Sequence, residues 1–205
     1  MKKILCLGAH CDDIEIGCGG SILKLIDTMK DISFYWVVFS SDDRRESEAV
    51  KSAHDFLRNV KEKNIVIKRF KNSYFPYHWA EIKSYFEQLK LEYSPDIIFT
   101  HYGRDFHQDH RLISEFTWNT YRNHFILEYE IPKYDGDLDS PNFYVHLDEA
   151  ICRKKTKNIL KYYSSQNDKD WFTKDTFMSL LRLRGVESKA PNKYAEGFYC
   201  RKIVY

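Results

Sequence analysis

The stretch KILCLGAHCDDIEIGCGG, residues 3–20, decides the fold and places the first group of reactive side chains. Its opening residues, Lys3–Gly8, form a short apolar run of the kind found in buried β-strands. Polar residues begin directly afterwards, and in a parallel α/β sheet ligands bind at the carboxyl ends of the strands. The stretch therefore predicts a buried first strand that leads into a functional loop.

Downstream of this stretch, segments with helix and strand periodicity alternate. Helices are predicted over Ser21–Lys30, Glu46–Asn59 and Trp79–Leu91, and strands over Ser33–Ser40, Asn64–Phe70 and Asp96–Thr100. Such alternation is typical of a parallel sheet with helices on both faces. We therefore predict an α/β fold with a Rossmann-like, mostly parallel sheet.

The pattern changes after residue 110, where we predict a C-terminal elaboration. Its predicted helices are His110–Arg122, Glu149–Tyr163 and Trp171–Arg184, and its predicted strands are Phe125–Ile131, Phe143–Leu147 and Phe198–Val204. The loop Pro132–Pro141, rich in Asp and Gly, has the most flexible composition. Because no internal repeat or clear linker divides the chain, we predict a single domain over residues 1–205.

Net charge and cysteine content limit the partners and the cellular compartment that the sequence predicts. The chain has 32 basic and 30 acidic residues and a formal net charge of +2, so nothing requires a nucleic acid or a membrane as partner. No stretch reaches transmembrane length, and the first apolar run is too short for a signal peptide. The five cysteines are odd in number and form no Cys-x-x-Cys pair, which predicts reduced thiols in a cytoplasmic protein. A homo-oligomer is compatible with this composition.

Two polar clusters follow the first and fourth predicted strands. The first cluster is His10–Glu15, and the second, HYGRDFHQDH, is His101–His110. These two strands are often neighbours in a sheet of this topology, so we expect the two loops to converge. Imidazole and carboxylate groups are good ligands for a divalent ion such as zinc. The clusters therefore predict a metal site.

The spacing within the clusters fits a hydrolytic metal site, which needs three protein ligands, an open position and a carboxylate base. His10 and Asp13, three residues apart, can bind one metal and leave Asp12 free as the base. Of His107 and His110, one can bind the metal while the other faces the substrate. The alternative for the paired aspartates is a helix N-cap with first-turn acids.

The glycine-rich run at residues 17–20 raises a dinucleotide-binding alternative, because it follows a strand and opens a helix. Its spacing is not Gly-x-Gly-x-x-Gly, and it comes later after the strand than a Rossmann phosphate turn does. A nicotinamide-dependent oxidoreductase is therefore disfavoured. We interpret the glycines as punctuation between the first strand and the helix at Ser21–Lys30.

These motifs resemble those of the PIG-L/LmbE family of zinc-dependent N-acetylglucosaminyl deacetylases. GAHCDDIEIGCGG at residues 8–20 is similar to the family's Ala-His-Pro-Asp-Asp motif and its continuation, with Cys11 where the family usually has Pro. HQDH at residues 107–110, preceded by Asp105, matches the family's His-x-Asp-His. Weaker likenesses at RESE (45–48), SSQ (164–166) and AEGF (195–198) extend the resemblance along nearly the whole chain. Without the proline, the turn is expected to be looser.

The resemblance implies a metal centre and a base. His10, Asp13 and His110 would be the metal ligands, holding Zn²⁺ or alternatively Fe²⁺. Asp12 would be the general base that activates the attacking water. Cys11 is not expected to be a ligand, because its neighbours already complete the motif.

The resemblance also implies groups that act on the substrate. His107 would stabilise the oxyanion and could protonate the leaving amine, and Asp109 would orient His107. Arg45 would contact the substrate beside the metal, with the adjacent Arg44 as the alternative.

The implied reaction is metal-dependent hydrolysis of the N-acetyl group of a small-molecule amino sugar or amino-sugar conjugate, which releases acetate and a free amine. The aromatic residues of the loop Asn72–Trp79 are candidates for stacking on a sugar, namely Tyr74, Phe75, Tyr77 and Trp79. A charged substrate could use Arg44, Arg45 or Arg104. Two alternatives stay open: a related metal-dependent amidase acting on another acyl group or conjugate, and a sugar-binding protein without catalysis.

Overall fold

The computed structural model describes residues 1–203 and contains a seven-stranded sheet covered by helices. The strands are β1 (Lys2–Gly8), β2 (Ile32–Val38), β3 (Glu62–Ile67), β4 (Ile97–His101), β5 (Phe125–Tyr129), β6 (Phe143–Leu147) and β7 (Tyr194–Tyr199). The helices are α1 (Asp13–Thr28), α2 (Asp43–Phe56), α3 (Trp79–Glu92), α4 (Gln108–Thr120), α5 (Glu149–Tyr162) and α6 (Lys174–Glu187). Within residues 1–203, no helix combines the length and apolar character needed to traverse a bilayer.

The strand order is β3-β2-β1-β4-β5-β7-β6. Strands β1 to β5 run parallel, whereas β7 pairs antiparallel with both β5 and β6. The predicted Rossmann-like, mostly parallel α/β sheet is therefore confirmed. The order reverses between β1 and β4, and the loops that follow these two strands lie at the crevice where such sheets bind ligands.

Helices cover both faces of the sheet, as predicted. Because successive side chains of a strand point to opposite faces, β1 contributes to two separate cores. Ile4 and Cys6 belong to the core beneath α1, α2 and α5, whereas Leu5 and Leu7 pack with residues of α3 and α4. All four side chains are fully buried, which fixes the position of the loop that follows β1.

The glycines of residues 17–20 lie inside α1, so their interpretation as punctuation between a strand and a helix was wrong. A Cβ atom at Gly17 would stand 2.1 Å from the ring of Tyr129, and one at Gly20 would stand 2.5 Å from Leu147. The glycines therefore let α1 approach the sheet closely at β5 and β6. They serve helix packing, and this removes the basis for a phosphate-binding turn.

The largest boundary error is at α1, which begins at Asp13 instead of the predicted Ser21, and smaller errors fall in the C-terminal elaboration. The strand predicted at Phe198–Val204 is β7, which ends at Tyr199, and Val204 lies outside the described residues. Helix α6 begins at Lys174 instead of Trp171, because the side chain of Thr173 caps it by accepting the backbone N–H of Thr176. The residues between α5 and α6 are consequently free to form a wall of the site described below.

Candidate active site

The loops that follow β1 and β4 bring the predicted reactive residues together. His10, Asp12 and Asp13 come from the first loop and the start of α1, and His107 and His110 come from the start of α4. All five side chains line one open cavity of about 280 Å³. This volume is close to the lower end of the range for small-molecule sites, about 300 Å³.

The three predicted metal ligands form a tight triangle. Nδ1 of His10 lies 3.1 Å from Nε2 of His110 and 3.4 Å from Oδ2 of Asp13, and the last two atoms are 3.6 Å apart. Tetrahedral zinc with bonds of about 2.1 Å places its ligand atoms about 3.4 Å from one another. The donor set and its spacing therefore fit a zinc-like ion.

Two overlapping residue groups have the spacing of a metal site, and both contain His110. One consists of His10, His107 and His110, and the other of Asp13, His101 and His110. His101 ends β4, is fully buried, and lies with Nε2 3.1 Å from Oδ2 of Asp13. Nε2 of His101 accepts the backbone N–H of Ala9, and the Asp13 carboxylate accepts the backbone N–H of His10. Sequence reasoning placed His101 in the second polar cluster but assigned it no role.

Each of the two histidines in the triangle has a carboxylate on its other ring nitrogen. Nδ1 of His110 lies 2.9 Å from Oδ2 of Asp105, and Nε2 of His10 lies 3.3 Å from Oδ2 of Asp109. A carboxylate in this position fixes the tautomer and leaves the opposite nitrogen free to bind a metal. The arrangement is the usual support for a histidine that binds a metal.

The carboxylate of Asp109, a residue expected to orient His107, faces His10 instead. The Asp109 side chain turns towards His10 because the backbone N–H groups of Ser73 and Phe75 donate to it at 2.7 and 3.1 Å. Only the backbone N–H of Asp109 contacts His107, donating to Nδ1 at 3.2 Å. The loop that contains Ser73 and Phe75 thus determines that this carboxylate contacts His10. Local sequence spacing could not predict the contact, because this loop is distant along the chain.

His107 occupies the N-cap position of α4, and this fixes its hydrogen-bonding state. Since Nδ1 accepts the N–H of Asp109, a neutral ring carries its proton on Nε2. Burial and the nearby charge of His10 lower the pKa of His107, which favours the neutral ring. His107 can therefore offer an N–H donor to a substrate in the cavity.

The cluster is electrostatically suited to a cation. Burial acts to lower the pKa of His10, but the charges of Asp13 and Asp109 outweigh it and raise that pKa to about 9. Burial and the neighbouring His101 lower the pKa of His110 to about 3, despite the opposing effect of Asp13. For Asp13 itself, burial is outweighed by the facing histidines, which hold its pKa well below the usual range. The carboxylates of the site thus stabilise a positive charge, and a bound metal ion would supply such a charge.

Asp12 stands outside the triangle and forms an ion pair with Arg45. Nη2 of Arg45 donates to Oδ1 of Asp12 at 2.6 Å, and both residues line the cavity. Arg44 instead points away, with a hydrogen bond to Ser164 and a largely exposed side chain. Arg104 is also exposed and lies at a different surface pocket. Of the three arginines considered from the sequence, Arg45 is the one at the cavity.

Cys11 points away from the triangle. Its Sγ donates to the carbonyl of Ser40 at 3.3 Å, and its own carbonyl accepts the hydroxyl of Tyr163 at 2.5 Å. Burial raises the pKa of the Cys11 thiol, which disfavours the thiolate that a metal would need. These two hydrogen bonds hold the loop at Cys11, the position at which the family that the sequence resembles usually has a proline.

The remaining walls of the cavity are formed by residues that were not predicted to be site residues. They are Asn72, Ile131, Lys133, Tyr134, Asp135, Lys169 and Trp171. Among the described residues, none of the four aromatic side chains proposed for sugar stacking lines this cavity. Phe75 is buried in the core, and Trp79 packs edge-on against Phe116. The aromatic walls are instead Tyr134 and Trp171.

Lys133, a residue of the cavity wall, forms an ion pair with Asp105, the carboxylate that contacts Nδ1 of His110. Its ammonium lies 3.1 Å from Oδ2 of Asp105 and also pairs with Asp137. The carboxylate of Asp137 in turn accepts the backbone N–H of Phe106 at 2.7 Å. Although burial acts to raise it, the hydrogen bond from His110 and the charge of Lys133 hold the pKa of Asp105 well below its usual range. The loop Pro132–Pro141 is therefore anchored at its centre to the loop that follows β4.

A family model described as PIG-L, GlcNAc-PI de-N-acetylase, matches residues 5–121, which include every residue of the triangle together with Asp12, Arg45 and His107. No curated protein sequence matches the chain significantly.

Several solved structures share the fold over nearly the whole chain. An N,N'-diacetylchitobiose deacetylase from Pyrococcus horikoshii is 22% identical, with a TM-score of 0.71, over 97% of this chain and 83% of that one. A conserved protein from Thermus thermophilus is 17% identical, with a TM-score of 0.75, over 100% and 97% of the two chains. A 4-carboxy-2-hydroxymuconate hydratase from Pseudomonas putida is 14% identical, with a TM-score of 0.73, over 100% and 98%. The presence of a hydratase and a deacetylase on one fold means that the reaction must be argued from the site.

Proposed function

Because the chain belongs to the PIG-L family, whose model is described as GlcNAc-PI de-N-acetylase, we propose that it hydrolyses the N-acetyl group of an amino sugar or amino-sugar conjugate. The products are acetate and a free amine. The observation that carries the proposal is the triangle of His10, Asp13 and His110 with the carboxylate of Asp12 beside it. A metal site with three protein ligands and a separate carboxylate is suited to metal-dependent hydrolysis of an amide.

His10, Asp13 and His110 are the proposed ligands of Zn²⁺, with Fe²⁺ as the alternative. When bound, the metal supplies Lewis-acid chemistry, which polarises the acetyl carbonyl and makes water more acidic. The carboxylates of Asp105 and Asp109 orient the two imidazoles through their other nitrogens.

Asp12 is the proposed general base. Arg45 holds one of its oxygens at 2.6 Å, which fixes the direction of the carboxylate at the cavity. As the water oxygen attacks the acetyl carbon, Asp12 takes a proton from the water. The C–N bond then breaks, and the departing amine takes the proton that Asp12 received from the water. His107, suggested by the resemblance as the donor, is a neutral ring whose only proton is on Nε2, so it is not the acid for this transfer.

His107 is also the proposed oxyanion donor. Its Nδ1 is occupied by a backbone N–H, so its Nε2–H is the group available to the developing negative charge. Removing a single donor of this kind commonly lowers kcat by about 100- to 1,000-fold. His107→Ala is therefore expected to lower kcat while zinc stays bound.

We also propose a reducing, cytoplasmic location. All five cysteines are free thiols, and Cys6, Cys11, Cys18 and Cys152 are buried. Thiols of this kind persist in the compartments where glutathione and thioredoxin keep cysteines reduced.

The first experiment is acetate release from N-acetylglucosamine and its methyl glycoside by metal-stripped protein, with and without added zinc. We expect release that depends on zinc, and an anaerobic parallel with ferrous iron compares the two metals. Asp12→Asn is expected to lower kcat by about 100- to 10,000-fold while binding zinc as the wild type does. Asp43→Asn, at an exposed carboxylate, is the matched control.

Two outcomes would contradict the proposal. A protein that binds zinc but releases acetate from no acylated amino sugar is not a deacetylase of this class. An Asp12→Asn variant with wild-type turnover would remove Asp12 from the role of base.

A further inference from the structure

Two consecutive residues at the start of α4 hold the same residue of the loop between β3 and α3. The side-chain amide of Gln108 donates to the carbonyl oxygen of Ser73 at 3.0 Å, and the carboxylate of Asp109 accepts the backbone N–H of Ser73 at 2.7 Å. Both backbone groups of Ser73 are therefore hydrogen-bonded to side chains of α4. Because 35 positions separate Ser73 from Gln108, the tertiary fold creates this contact.

The backbone of Ser73 has a conformation that residues with a side chain seldom adopt. Its φ is 66°, in the left-handed region that favours glycine. Ser73 is the third residue of a turn in which the N–H of Tyr74 donates to the carbonyl of Lys71 at 3.1 Å, and a positive φ at this position is typical of a type II turn. The four residues of the turn are exposed, so burial does not enforce the conformation. The hydrogen bonds between Ser73 and α4 therefore help to offset its cost.

The conformation of Ser73 affects the proposed metal site through Asp109. Oδ2 of Asp109 accepts the N–H of Ser73, and this same atom lies 3.3 Å from Nε2 of His10. The other oxygen, Oδ1, accepts the N–H of Phe75, which is buried in the core. Phe75 thus fixes one end of the carboxylate, whereas the end that faces His10 depends on the direction of the N–H in an exposed turn.

We propose that Gln108 is a positioning residue of the metal site. Its amide holds Ser73 in the left-handed conformation that directs the Ser73 N–H to Asp109, and Asp109 in turn orients the His10 ring. Gln108 occupies the unspecified position of the His-x-Asp-His motif and is not among the described residues that line the cavity. The inference rests on the metal site of the proposed function and assigns a role to a residue outside its ligands.

The test measures zinc affinity without substrate, by competition of metal-stripped protein with a chromophoric chelator. Gln108→Met keeps the length of the side chain and removes its donor. It is expected to weaken zinc binding by about 2- to 10-fold, the fold-change that corresponds to the net contribution of one hydrogen bond. Gln88→Met, at an exposed glutamine of α3, is the matched control and should bind zinc as the wild type does.

A second substitution distinguishes positioning from a general loss of stability at the start of α4. Adding Ser73→Gly to Gln108→Met is expected to restore zinc affinity to within about twofold of the wild type, because glycine adopts a positive φ without the steric cost. Ser73→Ala keeps a Cβ atom and should not restore it. Glycine in a separate loop would not repair a destabilised helix.

A third comparison tests whether Gln108 acts through Asp109. In a background of Asp109→Ala, which removes the carboxylate, Gln108→Met is expected to cause no further loss of zinc affinity. An equal loss in both backgrounds, wild-type affinity of Gln108→Met, or no restoration by Ser73→Gly would overturn the inference.

Zinc binding separates this inference from the proposed reaction. A protein that binds zinc but releases no acetate contradicts the proposed deacetylase function, and the same zinc titrations then still decide the role of Gln108. A wild type that binds no zinc would overturn the inference itself.

Discussion

Oδ2 of Asp109 lies 3.3 Å from Nε2 of His10, on the side of the ring away from the nitrogen that faces His110. The backbone N–H groups of Ser73 and Phe75 hold the carboxylate there. Because the carboxylate keeps a proton on Nε2, Nδ1 is the nitrogen left to bind the proposed metal. The loop between β3 and α3 would therefore support the proposed metal site without contributing a ligand.

Asp109→Asn is expected to lower the affinity for zinc by about 10- to 100-fold, the usual effect of removing such a supporting carboxylate. The asparagine amide has only one acceptor oxygen, so its NH2 group would face one of the two backbone N–H donors, that of Ser73 or that of Phe75. Competition of metal-stripped protein with a chromophoric chelator measures the affinity. Asp135→Asn, at a carboxylate on the rim of the same cavity, is the control. Wild-type zinc affinity with lost turnover would show that Asp109 acts on His107 after all.

Tyr163→Phe is expected to destabilise the protein by about 1–3 kcal/mol, the cost of leaving buried hydrogen-bonding groups without a partner. The hydroxyl of Tyr163 contacts both the carbonyl of Cys11 and Oε1 of Glu15 at 2.5 Å, in a fully buried environment. Urea unfolding gives the change in free energy. Tyr162→Phe is the matched control, because its half-buried hydroxyl contacts Asp55 at 3.0 Å, and we expect a loss below about 1 kcal/mol. Equal losses for the two variants would contradict a special role for Tyr163.

Glu15→Gln is expected to change how stability depends on pH. Burial raises the pKa of Glu15 from 4.5 to about 8, although Ser52 and Tyr163 hydrogen bond to the carboxyl. The folded state therefore binds a proton that the unfolded state releases above about pH 4.5. The stability that this proton contributes is fully present below pH 4.5 and is lost as the pH rises through about 8.

Urea unfolding of both proteins between pH 5 and 8.5 measures this effect. The free-energy difference should shift in favour of Glu15→Gln as the pH rises, by at most about 1.4 kcal/mol per pH unit. Parallel curves for the two proteins would show that Glu15 is ionised in the folded state.

Glu196→Gln is expected to cost about 3–5 kcal/mol, because it leaves the ammonium of Lys155 buried without its counter-charge. The two groups are 2.6 Å apart and nearly inaccessible to solvent. Glu196 also accepts the N–H groups of Gly20 and Ser21, so the pair ties β7 and α5 to the glycine-rich part of α1.

Chemical unfolding measures this cost. Glu149→Gln, which breaks the exposed ion pair with Arg153, should cost less than about 1 kcal/mol. A double variant with Lys155→Met and Glu196→Gln should lose less stability than the sum of the single variants, because it removes both charges. A loss below about 1 kcal/mol for Glu196→Gln alone would show that the charge of Lys155 is compensated in another way.

The three weaker sequence likenesses gain a physical explanation from the fold. Glu48, from the run at residues 45–48, accepts hydrogen bonds from the backbone and side chain of Ser165 and from Ser164. Glu196, from the run at 195–198, accepts the backbone N–H groups of Gly20 and Ser21 in α1. These segments hold the C-terminal elaboration against the family-matched part of the chain. Their pairing could not be predicted from the sequence, because none of these segments specifies its distant partner.

The fold class and the residues that stand at the carboxyl ends of β1 and β4 could be predicted from the sequence. Hydrophobic periodicity acts over a few residues, and the three-residue spacings of His10 to Asp13 and of His107 to His110 are local properties of a loop and a helix start. These patterns also predicted that Asp12 stands apart from the metal triangle. They did not predict that the glycines of residues 17–20 lie inside α1, because their partners Tyr129 and Leu147 are more than a hundred positions away.

The pairing of each carboxylate with its histidine, and the side chains that form the far wall of the cavity, became known from the three-dimensional packing. Asp109 and His10 are 99 positions apart, and their contact depends on the neighbouring placement of β1 and β4 and on the backbone of Ser73 and Phe75. Lys169 and Trp171 reach the cavity because α6 begins late and leaves its preceding loop free. Local spacing carries no information on such contacts, because they arise from the packing of elements that are distant along the chain.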